Sequence, residues 1–136
     1  MTEKHEDKQE ERQKKLRPDQ YRILREAGTE PPFSSPLNNE KRHGVYRCAG
    51  CGETLFSSES KFDSGSGWPS FWAPFEQDRV TTREDRSHGM ERVEVLCARC
   101  DGHLGHVFED GPPPTNLRYC INGGALEFQE TASGEG

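Results

Sequence analysis

An antiparallel β fold with one N-terminal helix is predicted by three observations on this 136-residue chain. Fourteen glycines and nine prolines break it into short segments, as turns between strands require and a helical bundle does not. Short runs of alternating apolar and polar residues recur from Val45 onward. One earlier stretch, residues 18 to 27, carries a helical spacing instead. The length suits a single domain. Only 29% of the residues are hydrophobic, and a domain of this size buries only about two-thirds of its unfolded surface. A further source of stability is therefore expected. No stretch approaches the roughly 18 consecutive apolar residues of a membrane span. With 18 Lys and Arg against 24 Asp and Glu, the net charge is -6, which argues against nucleic acid or anionic lipid as a partner.

Taken in order, residues 1 to 15 read as a solvated, charged tail, with Glu10/Lys14 and Glu11/Lys15 spaced as i,i+4 pairs. They contain no apolar core for a signal peptide and are too acidic for a transit peptide, so a reducing cytoplasm is the expected location. The domain is expected over 16 to 131, with a short C-terminal tail from 132 to 136. Pro18 suits the first helical position, Asp19 the first turn and Gly28 the stop. Tyr21, Leu24 and Ala27 form its apolar stripe with Ile23 alongside, while Arg17 is a poor N-cap. Residues 29 to 43 are loop by their Pro, Ser and Asn content. Strands are predicted at 45 to 47, 54 to 56, 79 to 83, 92 to 96, 107 to 108, 117 to 121 and 125 to 129. Val93, Val95 and Cys97 share a face, residues 111 to 114 are loop, and Asn122-Gly123-Gly124 is a plausible hairpin turn.

The five cysteines divide unequally, and an odd number argues against a pure disulfide framework. Cys48-x-x-Cys51 and Cys97-x-x-Cys100 share one internal spacing, each with a glycine nearby, Gly52 and Gly102. Such a turn points two sulfurs to one side, and two of them complete a tetrahedral four-sulfur shell for zinc. The separation of the pairs exceeds that of a compact ribbon, so the metal is expected to clamp distant parts of the fold and to supply the missing stability. Two redox-active pairs or two disulfides are the alternative.

Cys120 is left over, and a lone cysteine is often inert packing. Arg118, two residues earlier on the same strand face, favours a thiolate there. His103 and His106 stand three apart; in a regular strand they face opposite sides, so joint action requires a bend, which Gly105 permits. Their plainer reading is support for nearby Cys100. Trp68, in a glycine-rich segment, is otherwise a core aromatic, Asn122 otherwise a turn residue, and Phe71 and Trp72 are read as packing.

Several ordered motifs together resemble the B-type methionine sulfoxide reductases. They are Lys61-Phe62-Asp63-Ser64-Gly65-Ser66-Gly67-Trp68-Pro69-Ser70-Phe71, then Arg92-x-Glu94-Val95-x-Cys97-x-x-Cys100, His103-Leu104-Gly105-His106-Val107-Phe108 and Arg118-Tyr119-Cys120-Ile121-Asn122. The resemblance, from Leu16 to about Phe128, implies a mainly β fold of two antiparallel sheets, a β-tent barrel, with one structural zinc on Cys48, Cys51, Cys97 and Cys100. It implies Cys120 as nucleophile, Trp68 as the wall for the substrate methyl group, and Arg118 as support. It places His103, His106 and Asn122 where they organise and protonate the sulfoxide oxygen. Two departures stand out. Gly123-Gly124 occupies a place where the family often has Ser and a small residue, which loosens the segment after Cys120. Ser66 occupies a place where many members carry a second, resolving cysteine.

The implied activity is repair of methionine R-sulfoxide, chiefly in oxidised proteins, by a monomer responding to oxidative stress. The thiolate attacks the sulfoxide sulfur while a histidine protonates oxygen, leaving methionine and a Cys120 sulfenic acid. With four cysteines on zinc, none remains to close a disulfide with Cys120. Regeneration then falls to an external thiol, such as thioredoxin, glutaredoxin or a small thiol; sacrifice of a zinc cysteine is the alternative. A zinc-stabilised binding module is the competing class of function, and would have no need of Cys120 beside two histidines. A zinc hydrolase or deaminase fits less well, since a full sulfur shell excludes water and the H-x-E signature is absent.

Overall fold

The structure, a computed structural model, describes residues 16–131. The expected charged tail over 1 to 15, with its i,i+4 pairs, and the C-terminal tail over 132 to 136 lie outside the described residues. Helix α1 (Pro18–Glu26) starts as its proline and Asp19 predict. Arg17 supplies no side-chain cap; instead Gln20 Oε1 accepts the Arg17 N–H at 3.0 Å. The helix ends one residue before the predicted stop. Ala27, not Gly28, takes the left-handed conformation (φ 54°), and Gly28 N–H donates back to Arg22 O at 2.9 Å. The buried face is Ile23 and Leu24, while Tyr21, expected on that face, is 44% exposed. Helix periodicity identified the element but rotated its stripe by about one residue.

Nine strands follow: β1 (Gly44–Cys48), β2 (Thr54–Ser57), β3 (Lys61–Phe62), β4 (Ser70–Phe71), β5 (Val80–Asp85), β6 (Arg92–Cys97), β7 (His103–Phe108), β8 (Arg118–Ile121) and β9 (Leu126–Glu130). They form two sheets, in the orders β2-β1-β9 and β3-β4-β8-β7-β6-β5, with every pairing antiparallel. The predicted class of two antiparallel sheets plus a short helix holds. An aromatic cluster joins the sheets: Tyr46 meets Phe71 edge-on at 5.0 Å, and Phe56 stacks on Phe71 at 4.4 Å. Phe71 is fully buried packing, as read from the sequence. In β6, Val95 and Cys97 are buried, but Val93 reaches 39% exposure at the open end of the strand.

The hairpin predicted at Asn122-Gly123-Gly124 does not form. β8 pairs with β4 and β7 in the larger sheet, whereas β9 pairs with β1 in the smaller one. Residues Gly123–Ala125 make a single buried 3₁₀ turn that carries the chain from one sheet to the other. Alternation of apolar residues marks a strand but is indifferent to its partner. Two further features carried too little pattern to be read: the two-residue strands β3 and β4, and the 3₁₀ turn Pro36–Asn39 inside the predicted loop.

Candidate active site and metal centre

The first C-x-x-C turn follows β1 and the second follows β6, so they belong to different sheets. Each is closed by main-chain bonds, Gly52 N–H to Cys48 O and Asp101 N–H to Cys97 O, both 2.8 Å. Gly52 sits at φ 84°; the equivalent slot of the second turn is held by Asp101 (φ 60°) and not by the glycine beside it. All four Sγ atoms lie within 4.8 Å of one another. Cys48 and Cys100 are 3.7 Å apart, Cys51 and Cys97 3.5 Å. A tetrahedral ion with metal–sulfur bonds of about 2.3 Å needs sulfurs about 3.8 Å apart, whereas a disulfide needs about 2.05 Å. The donor set and its spacing fit a metal, and no disulfide is present among the described residues. Leu24 of α1 covers the second turn closely: a Cβ on Gly102 would come within 2.9 Å of it. Arg25 Nη1 donates to Cys100 O at 2.8 Å.

Away from the metal cluster, Cys120 opens onto a cleft of about 250 Å³ whose walls include Trp68, His106, Arg118 and Asn122. Strand register explains the convergence. Cys120 lies directly opposite His106 on β7 and opposite Ser70 on β4, and directly opposed side chains share a face about 5 Å apart. The short β4 strand thereby brings Trp68 alongside the sulfur. Trp68 is half-buried, and its Nε1–H donates to Glu30 O at 3.0 Å, so the indole presents only apolar surface to the cleft.

The two histidines share a face because the β6–β7 register slips: Val95 pairs with Gly105, but Leu96 pairs with His103. That bulge at Leu104 supplies the bend, and the rings stand 5.5 Å apart. Gly105 serves a different end from the one expected. A Cβ there would lie 2.1 Å from Cys120 O, so glycine is what lets β7 approach the strand carrying the sulfur. His103 Nδ1–H donates to Glu94 Oε2 at 2.6 Å, and His106 Nε2–H to Asp85 Oδ2 at 2.8 Å. Neither ring is held by Cys100. His106 lines the cleft; His103 does not, and instead borders a neighbouring depression with Asp85, Glu94 and His106, 5% exposed, its Nε2 without a partner among the described residues. Burial pushes His103 down from the ordinary imidazole range, against the pull of Glu94.

Arg118 does not win at Cys120. Burial pushes the thiol up, and the attraction of Arg118 and the Ser66 hydroxyl only partly offsets it. Asp110 adds a smaller push in the same direction as burial: its carboxylate accepts from Arg118 Nε and Nη2 at 2.9 and 3.1 Å and itself raises the thiol. Asp110→Asn removes that opposing charge. Alkylation of Cys120 by iodoacetamide in the metal-loaded protein at neutral pH is expected to quicken about threefold as the thiolate fraction rises. An unchanged or slower rate would show that Asp110 does not govern the sulfur.

The SelR domain model matches residues 16–130. The chain is 54% identical to a peptide methionine sulfoxide reductase MsrB of Methanosarcina barkeri, over 99% of this chain and 96% of that protein. It is 57% identical to the MsrB of Leptospira interrogans, over 86% and 89% of the two chains. With the MsrB of Agrobacterium fabrum the identity is 58%, over 84% of each.

The chain belongs to the MsrB family of methionine sulfoxide reductases.

Within the MsrB fold the two departures now have structures. Ser66 lines the cleft with Cys120 and hydrogen-bonds Ser64 at 2.7 Å, so a hydroxyl stands on the cleft wall there. The Gly123-Gly124 pair is not loosened. Both amides donate to the Glu30 carboxylate at 2.8 Å, and a Cβ on Gly123 would fall 1.9 Å from Ser35 Oγ. Sequence reasoning missed Glu30, Glu94 and Asp85, together with Thr29 at the cleft. Glu94 had a visible signal, an acidic residue between valines in a strand predicted to be half-buried; Glu30 had none within its loop.

Proposed function

We propose that this MsrB-family protein reduces the R epimer of methionine sulfoxide, chiefly in oxidised proteins, with Cys120 as nucleophile. The substrate methyl group packs on the Trp68 indole, and the sulfoxide oxygen points to His106 and Asn122. The observation that carries the reading is the cross-strand pair His106–Cys120 in one cleft with an indole whose N–H is turned away. Asp85 pairs with His106 Nε2, so Nδ1 is the ring nitrogen through which a proton reaches the oxygen. Asn122 Nδ2 donates one hydrogen to Leu104 O, which leaves a second for the oxygen. His103, outside the cleft lining with its ring 5.5 Å from that of His106, positions its neighbour and is not the donor.

In the first step the Cys120 thiolate attacks the sulfoxide sulfur while His106 protonates the departing oxygen. The oxygen passes to Cys120 as a sulfenic acid, and the methionine sulfur recovers an electron pair. Two equivalents of an external thiol of the thioredoxin, glutaredoxin or small-thiol class then return Cys120 to the thiol, releasing water and a disulfide. Cys48, Cys51, Cys97 and Cys100 hold one zinc whose part is structural, since four thiolates fill its shell. A reducing cytoplasm suits both sets of sulfurs.

That one enzyme serves one epimer is a property of this class of reductases, and the test uses it directly. With dithiothreitol as reductant, steady turnover of a peptide methionine R-sulfoxide is expected, and none of the S epimer. Equal rates on both epimers, or no turnover of either, would contradict the assignment.

A further inference from the structure

We propose that Glu30 is the positioning residue that fixes the two sides of the substrate cleft relative to each other. The inference rests on the reading of Trp68 and Asn122 as the methyl-binding wall and an oxygen-side donor. Glu30 is 8% exposed and touches no part of the cleft's reacting centre; it acts through its neighbours. Its carbonyl oxygen accepts the Trp68 indole N–H at 3.0 Å, and its own N–H donates to Asn122 Oδ1 at 3.0 Å. One residue's main chain thus holds both cleft walls.

What holds Glu30 is its side chain. The carboxylate accepts the Gly123 and Gly124 amides, both at 2.8 Å, at the start of the turn that leaves β8. Charge-assisted bonds to two adjacent main-chain amides are directional and strong, and the turn lies three and four residues beyond Cys120. The same loop is tied again where Phe33 N–H donates to Gly67 O at 2.7 Å, so residues 30 and 33 bracket the Gly67-Trp68 segment. The Glu30 N–H also settles the Asn122 amide, because a main-chain N–H demands the oxygen and leaves Nδ2 for Leu104 O and the cleft. Without the carboxylate, residue 30 keeps only its main-chain bonds to the Trp68 and Asn122 side chains and loses its hold on the main chain of the turn that follows β8. The indole and the amide then lose their common reference. Reaction requires the sulfoxide sulfur over the thiolate and its oxygen at the donors together, and a misplacement of about 1 Å costs about 100-fold.

The test is a pair of double-mutant cycles on the metal-loaded, full-length protein, with kcat/KM for a peptide methionine R-sulfoxide as readout. Glu30→Ala is expected to lower it about 10- to 100-fold. Glu30→Gln keeps one carbonyl oxygen for the amides and is expected to lose at most about tenfold. In a Trp68→Phe background, which has no N–H to hold, the cost of either Glu30 substitution should shrink at least about threefold; the same is expected in an Asn122→Ala background. A residue that merely stabilises the fold would give the same cost in every background. Should Glu30→Ala fail to fold, Glu30→Gln carries the cycles alone. Parent-level activity in both Glu30 variants, or equal costs in all backgrounds, would overturn this inference while leaving the cleft assignment standing. If Trp68→Phe and Asn122→Ala themselves left kcat/KM unchanged, the cleft assignment would fall first.

Discussion

The Cys120→Ser protein is expected to retain its metal and its melting temperature while losing turnover by at least about 1,000-fold, since a serine hydroxyl is scarcely ionised at neutral pH. The substitution is nearly isosteric. Cys120 is not among the four clustered sulfurs, and its side chain packs in a strand whose main-chain pairing with β4 and β7 does not depend on it. Activity, metal content and thermal unfolding measured on one preparation separate the two roles of sulfur in this chain. Retained turnover would remove Cys120 as the nucleophile; loss of metal would place it at the wrong site. The raised thiol adds a second signature to the parent enzyme. Because burial holds the Cys120 thiol above its ordinary range, the thiolate form gains as pH rises, so alkylation should accelerate on the alkaline side of neutrality.

Stripping the metal is expected to unfold the domain. The two C-x-x-C turns lie at the ends of strands from different sheets, so an ion held by all four sulfurs would join β1 of one to β6 of the other. Structural zinc contributes on the order of 10 kcal/mol or more to folding in small domains, comparable with the whole stability of a typical domain, about 5–15 kcal/mol. With so few hydrophobic residues, this chain has little else in reserve. Without a metal, four sulfurs remain packed within 4.8 Å of one another, mostly buried. A strong chelator with gentle heating should release one zinc per chain in step with loss of the cooperative melt. Cys97→Ser should prevent accumulation of folded protein. A chelated sample melting cooperatively at the parent temperature would show that the sheets hold together unaided.

The metal centre was legible because its signal is local: two identical spacings fix two identical turns, and only their meeting in space needed the structure. The site around Cys120 was legible in its residue types and illegible in its wiring. His103 and His106 share a face through a slipped register at Leu104, which no strand periodicity encodes. Their carboxylate partners sit 9 and 21 residues away on β6 and β5, and Glu30 reaches across more than 90 residues to the turn after β8. Pairing at that separation is decided by sheet order, and the alternation in β8 and β9 suited a hairpin as well as the crossover that forms. The electrostatics of Cys120 follow burial, which outweighs the attraction of Arg118 two residues away and is set by packing that the spacing does not encode; Asp110, which pairs with Arg118, adds a smaller push.

The division of labour among five sulfurs is tested most directly by a single turnover followed by mass spectrometry. Zinc-loaded protein treated with one equivalent of peptide methionine R-sulfoxide, without reductant, should gain the mass of one oxygen, trapped at Cys120 by a sulfenic-acid reagent, with zinc still bound. A product lighter by two hydrogens, with Cys120 in a disulfide to a C-x-x-C cysteine and zinc released, would contradict it.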